Sequence, residues 1–294
     1  MTDQPDDDHP DEVARPWSIS IRDLEVRGLA WGNLGDPPLL ALHGWQDNAA
    51  SFIPLMSHLR PTGRFRVLAP DLPGHGRSGW RTQQSAYHFV DWLRDLYDLL
   101  QALEWTSCSL IGHSMGAAIA SLWAGVFPDR CQSLILIEGL GPLTTPAEEC
   151  PDQLARALQA QSSPFKERAS LDQLIEQRCR LTPMKFESAR HLMERSTRTL
   201  ENRQIQLRQD PMLRMPSLLR LTEPQVRAFL KRVRCEVLLI KAKNGWPFDP
   251  HLLQERVACL PRSETQIIEG QHHVHMDESA QVALICEAFL KRTT

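Results

Sequence analysis

Residues 109–124 read SLIGHSMGAAIASLWA, and this stretch decides the fold. Its apolar start, Leu110-Ile111, fits a strand buried on both faces. That run stops at Gly112-His113-Ser114-Met115-Gly116 and resumes at once as small residues at helical spacing. An ordinary turn would use Asn, Asp or Pro. Here glycines stand two residues before and two after one serine, which suits a corner with no room for neighbouring side chains. Ala117 and Ala118 extend the small surface and let the helix pack close to the sheet. Gly-x-Ser-x-Gly between a strand and a helix is a nucleophile-elbow pattern. It lifts the serine Oγ out at the carboxyl end of the strands, where open α/β sheets bind ligands. The helix N-terminus behind it favours developing negative charge.

Working outward, continuous apolar runs recur at 38–44, 65–72, 108–114, 133–139, 236–242 and 264–270, the mark of strands buried on both faces. Ahead of them, WSISIRDLEVRGLAWG (17–32) alternates polar and apolar residues and reads as an antiparallel hairpin at a sheet edge. Amphipathic helical stretches such as 85–104 lie between most strands. The expected architecture is α/β, a mostly parallel eight-stranded sheet flanked by helices. The interval 143–233 breaks the rhythm, with no clear strand and seven prolines. It reads as a helical lid inserted between the sixth and seventh strands, with helices near 152–161, 170–180 and 186–200. The core then comprises 16–142 and 234–294, behind a disordered acidic tail at 1–15.

Composition narrows the function. The 294 residues are 42% hydrophobic and 23% charged with a net charge of −3, which gives no reason to expect a nucleic-acid partner. No apolar run reaches the roughly 18 residues of a membrane span. The acidic N-terminus is the opposite of a secretory signal. Seven scattered cysteines without a Cys-x-x-Cys pair suit free thiols in a reducing compartment, so a cytoplasmic protein is expected. The lid interval holds 16 Lys or Arg against 11 Asp or Glu. That excess reads as a solvated face, with attraction of an anionic substrate as the alternative.

A serine nucleophile needs partners. The loop ending ALHGWQDN (41–48) is placed to offer the Trp45 backbone N–H, and Met115, just after the serine, offers a second; together they would form an oxyanion hole. His43 reads as a loop-organising histidine, and the turn-rich loop 69–79 with Asp71 as scaffolding. For the base, EGQHHVHMDES (269–279) offers His272, His273 and His275, of which His272 is favoured. The cluster lacks the helical i, i+4 spacing of a metal site, so neither metal nor cofactor is expected. Two carboxylates compete to orient the base. Asp249 follows the seventh strand, as the chain order Ser, acid, His demands; its alternative reading is the start of the helix at Pro250. Glu138 ends the sixth strand, one strand nearer the serine. Chain order favours Asp249.

Taken in order, LHGWQDN, DLPGHGRS, GHSMG and the histidine motif resemble the α/β-hydrolase superfamily over residues 17 to 291. LHGWQDNAASF, EVLLIKAKNGWPFD and EGQHHVHMDES look more narrowly like the serine hydrolase-like protein group. The resemblance implies Ser114 as nucleophile, His272 as base, Trp45 and Met115 as oxyanion donors, and His275 at the second histidine of the motif. Relatives generally show Gly-x-x-Asp soon after strand seven, whereas Asp249 arrives late here; some relatives place the acid after strand six, the position of Glu138. A serine at the elbow, in place of aspartate, disfavours dehalogenase and epoxide hydrolase chemistry. The expected activity is hydrolysis of a carboxylic ester, a small-molecule acyl substrate. A thioesterase or carrier-protein esterase, a C–C bond hydrolase and a non-catalytic receptor are the alternatives.

Overall fold

The computed structural model describes residues 14–59, 65–82 and 85–293. The expected tail at 1–15 lies outside these residues apart from Ala14 and Arg15, and Arg15 already opens the first strand.

Eight strands form one sheet: β1 (Arg15–Ile21), β2 (Leu24–Trp31), β3 (Pro38–Leu42), β4 (Arg66–Pro70), β5 (Cys108–His113), β6 (Cys131–Ile137), β9 (Glu236–Asn244) and β10 (Ser263–Gln271). Two further strands, β7 (Thr197–Thr199) and β8 (Ile205–Leu207), form a separate hairpin. The large sheet runs β1-β2-β4-β3-β5-β6-β9-β10. Its pairings are parallel except where β2 meets β1 and β4. β5 buries every residue, and β3, β4 and β6 all but one each, because helices cover both faces. β1 alternates exposed and half-buried residues, as an edge hairpin should. β10 departs from its apolar reading. It is the opposite edge, paired only with β9, and Ile267 is 70% exposed.

The helices are α1 (Ile53–Met56), α2 (Phe89–Ala102), α3 (Met115–Val126), α4 (Cys150–Gln159), α5 (Leu171–Leu181), α6 (Phe186–Ser196), α7 (Glu223–Leu230), α8 (Pro250–Val257), α9 (Val274–Asp277) and α10 (Ser279–Thr293). One sheet face packs against α2, α3 and α7 through Trp92, Leu96, Ile119, Trp123 and Val226. The other packs against α1 and α10 through Leu55, Val282 and Phe289. Burying a leucine- or phenylalanine-sized side chain contributes about 1.5–3 kcal/mol each, so these two layers dominate stability.

Between β6 and β9 the chain makes four helices, α4 to α7, and the β7–β8 hairpin. The hairpin was not expected from the sequence: strands of three residues are too short to show an alternating pattern. α5 and α6 share a small core of their own, formed by Leu174, Ile175, Ala189, Leu192 and Met193. Met276 of α9 joins it, so this part of the insert rests on the loop after β10. α7 instead packs on α3, with Val226 and Leu230 in the main core.

Candidate active site

Ser114 stands between β5 and α3 with φ 51° and ψ −114°. This backbone is disfavoured for a residue with a Cβ and costs on the order of 1–3 kcal/mol. The surrounding glycines make it possible. A Cβ on Gly116 would lie 1.9 Å from the Leu42 carbonyl oxygen, and one on Gly112 would lie 2.5 Å from Gly116. The corner is held by the Ser114 N–H, which donates to the Ile137 carbonyl at 2.9 Å.

The side chain of Ser114 meets His272, with Oγ 3.0 Å from Nε2. His272 sits just past β10, and its Nδ1 lies 3.1 Å from Glu138 Oε2. A carboxylate can only accept, so Nδ1 carries the proton and Nε2 is free to accept from the serine. Burial, opposed by the Glu138 hydrogen bond, lowers the His272 pKa from its ordinary 6.5.

Glu138 immediately follows β6 and has φ 53°, so the serine and the carboxylate both occupy left-handed backbone at the ends of adjacent strands. The Glu138 carboxylate is buried and fully engaged. Oε1 accepts the Ala242 N–H at 2.7 Å, and Oε2 accepts the Trp246 N–H at 2.6 Å. Lys241 Nζ lies 3.5 Å from Oε1. Burial alone would raise its pKa, but the bonds from His272, Trp246 and Ala242 and the Lys241 charge hold it below 4.5. Gly245 leaves room for it, since a Cβ there would lie 2.0 Å from Oε2.

Asp249, favoured on chain order, does not meet the histidine. Its Oδ1 caps α8, accepting the His251 N–H at 2.8 Å and the Leu252 N–H at 3.2 Å. Asp followed by Pro at the first helical position is a strong start signal, and that local role is what the residue fulfils.

Of the two expected oxyanion donors, Met115 is the first residue of α3, so its N–H has no intrahelical acceptor. Trp45 lies in the turn after β3, closed by Asp47 N–H to Gly44 O at 3.1 Å. The close approach of Gly116 to the Leu42 and His43 carbonyls brings this turn beside the first turn of α3. The Trp45 indole donates to Leu213 O in the insert at 3.0 Å. His43 is buried, with Nδ1 2.8 Å from Gly44 O and Nε2 accepting the Leu72 N–H at 2.9 Å, which fits its reading as an organiser of the loop. Burial lowers its pKa to about 4. Asp71 accepts backbone N–H bonds from Ala49 and Arg77 and pairs with Arg195 of α6, which also fits a scaffolding part.

Sequence reasoning missed a second polar cluster behind the first. Asp47 Oδ2 lies 3.0 Å from His273 Nε2 and 3.5 Å from His113 Nδ1, while Oδ1 accepts from Arg178 of α5 at 2.7 Å. Burial opposes ionisation of Asp47, yet His273 and Arg178 hold its pKa well below 3.8. Asp47, His113 and His273 bring possible ligand atoms within 4.8 Å of one another, as a metal site would. Arg178, however, already supplies the positive charge at this carboxylate. His275 is buried with both ring nitrogens unpartnered among the described residues, and burial drives its pKa well below 6.5. It is a neutral packing group in contact with His113 and Phe52.

A model of the alpha/beta hydrolase fold matches residues 37–279. The chain belongs to the α/β-hydrolase family, and its fold and relatives mark it as a hydrolase. It is similar to a serine hydrolase-like protein of Danio rerio, 28% identical over 291 residues covering 94% of this chain and 86% of that one. A probable serine hydrolase of Drosophila melanogaster is 29% identical, covering 95% and 86% of the two chains. Among solved structures, a hypothetical protein from Pseudomonas aeruginosa superposes with a TM-score of 0.85 at 33% identity, covering 94% of this chain and 99% of its own. The thioesterase domain from the curacin biosynthetic pathway shares the fold, with a TM-score of 0.81 at 24% identity over 93% and 99% of the chains. No helix among the described residues is long and apolar enough to cross a membrane.

Proposed function

We propose that the protein is a serine esterase, cleaving carboxylic esters through an acyl-enzyme on Ser114. The observation that carries this reading is the continuous line Ser114 Oγ, His272, Glu138, with contacts of 3.0 and 3.1 Å. In this reading Oγ attacks the ester carbonyl while His272 Nε2 takes its proton, and Glu138 stabilises the imidazolium that forms. The oxyanion is received by the Trp45 and Met115 amides. His272 returns the proton to the leaving alcohol, then activates a water that releases the acid and restores the serine. The segment spanning α4 to α6 and the hairpin is assigned as the lid that selects the acyl group.

The basic excess of the insert lends little support to an anionic substrate. Several of its arginines are committed internally, Arg178 to Asp47, Arg195 to Asp71 and Arg227 to Glu223. A simple ester is therefore the first substrate to try.

The test is reaction with a fluorophosphonate probe followed by peptide mass spectrometry, beside hydrolysis of p-nitrophenyl esters of two to eight acyl carbons. An adduct on Ser114 with turnover of at least one ester is the expected result. An adduct without ester turnover moves the reading to thioesters or C–C bonds. Neither adduct nor turnover would leave a ligand receptor on a hydrolase fold.

The pH profile follows from the geometry. His272 must be neutral to accept the serine proton, and its pKa is lowered from 6.5. Activity should rise with pH through a midpoint below 6.5. A kcat/KM limb centred above 6.5 would contradict the burial of this ring.

A further inference from the structure

The Asp47 cluster adjoins every part of the proposed machinery without belonging to it. Asp47 lies two residues after Trp45 in the same turn. His113, beside its carboxylate, directly precedes Ser114, and His113 Nε2 donates to the His272 carbonyl at 2.9 Å. His273, bonded to Asp47 Oδ2, directly follows His272. One carboxylate thus touches the chain neighbours of the serine and of the histidine, and sits in the loop of the oxyanion donor.

Asp47 is 1% exposed, so its charge is costly unless matched. The match comes from the insert. Arg178 Nη2 donates to Oδ1 at 2.7 Å and stands 3.2 Å from His273 Nε2. The guanidinium is itself aimed by Nη1, which donates to Thr182 Oγ1 at 2.8 Å. On the far side of the histidine loop the insert takes a second grip. Ser188 Oγ donates to Asp277 Oδ1 at 2.6 Å, and Lys185 Nζ reaches Glu278 at 3.0 Å.

Resting on the serine-hydrolase reading above, we infer that Arg178 is a positioning residue: docked on Asp47, it locks the His272 loop to the Trp45 turn, so that the insert completes the catalytic geometry as well as enclosing substrate. Without the guanidinium, buried Asp47 keeps the His273 hydrogen bond but loses the Arg178 charge; rotation toward water or uptake of a proton then slackens His273 and the neighbouring His272. Displacements near 1 Å at such a site cost about 10²-fold in rate. Arg178 does not contact the reacting atoms in this account, so its loss should spare substrate binding.

The experiment compares wild type with Arg178→Gln, Arg178→Lys and Thr182→Val, using p-nitrophenyl butyrate turnover, fluorophosphonate labelling and hydrogen exchange of the segment 271–278. Arg178→Gln should lower kcat about 10²-fold with KM within about three-fold, and should speed exchange across 271–278. Arg178→Lys, which keeps the charge, should recover at least ten-fold of that loss. Thr182→Val should lower kcat several-fold, and it keeps the question open to test if Arg178→Gln does not fold. Unchanged kcat and unchanged exchange in the variants would overturn the inference, as would a change confined to KM. A wild type that neither labels nor turns over defeats the hydrolase reading instead, and the exchange measurement then decides the positioning role alone.

Discussion

Glu138→Gln is expected to lower ester turnover by about 10⁴-fold, the scale seen when a triad acid becomes its amide. The hydrogen bonds explain why the amide cannot substitute. The carboxylate accepts from Ala242 N–H on one oxygen, and from Trp246 N–H and His272 on the other. In one orientation the new NH₂ meets the Ala242 N–H, donor against donor. In the other it meets Trp246 N–H and His272 Nδ1, forcing the ring into the tautomer that points Nε2–H at the serine. Neither orientation supplies the negative charge that supports an imidazolium. Some stability should also be lost, about 1–3 kcal/mol for an unsatisfied buried donor. Asp249→Asn, run beside it, should leave kcat within about two-fold, because Asn caps a helix as well as Asp does. Steady-state kinetics of the two variants decide the matter, and a reversed pattern would return the acid to Asp249.

Ser114→Ala should lower turnover by about 10⁴-fold or more, and should remove fluorophosphonate labelling while leaving the fold intact. Retained turnover would exclude the acyl-enzyme mechanism. The backbone at this position adds a second expectation. Alanine keeps the Cβ and therefore the strain of φ 51°. Glycine relieves strain of about 1–3 kcal/mol and returns part of it as chain entropy. Ser114→Gly should thus be as inactive as Ser114→Ala, yet more stable than it by about 1 kcal/mol in urea denaturation. Equal stability of the two variants would mean that the corner carries no net strain.

Much of the fold was legible because its constraints are local. The glycines around Ser114 announce a tight corner within five residues, and central strands announce burial on both faces by unbroken apolar runs. The α6 reading was close to the observed Phe186–Ser196. What could not be read depends on distance. Arg178 and Asp47 are 131 residues apart, and nothing in either neighbourhood signals the other. Chain order favours Asp249 as the carboxylate beside His272, whereas the side chain that meets the ring is Glu138. The local signal at Asp249 pointed the other way: Asp249-Pro250 is a helix start, and the residue caps that helix.

The seat of Glu138 has a consequence for how such a protein can diversify. Ser114 and Glu138 each directly follow the carboxyl end of a strand, on the neighbouring parallel strands β5 and β6 at the ordinary spacing of about 4.8 Å. The separation of their backbones is set by the pairing of these two strands. The segment after β9 meets the site twice, through the Trp246 N–H that donates to Glu138 and through the half-exposed Trp246 ring, which packs 5.5 Å from the His272 ring. Exchanges of the Trp246 side chain can reshape the surface beside His272 while its backbone N–H keeps its place on Glu138. Side chain and backbone of one residue thus answer to different demands, and the first can drift without unsettling the second.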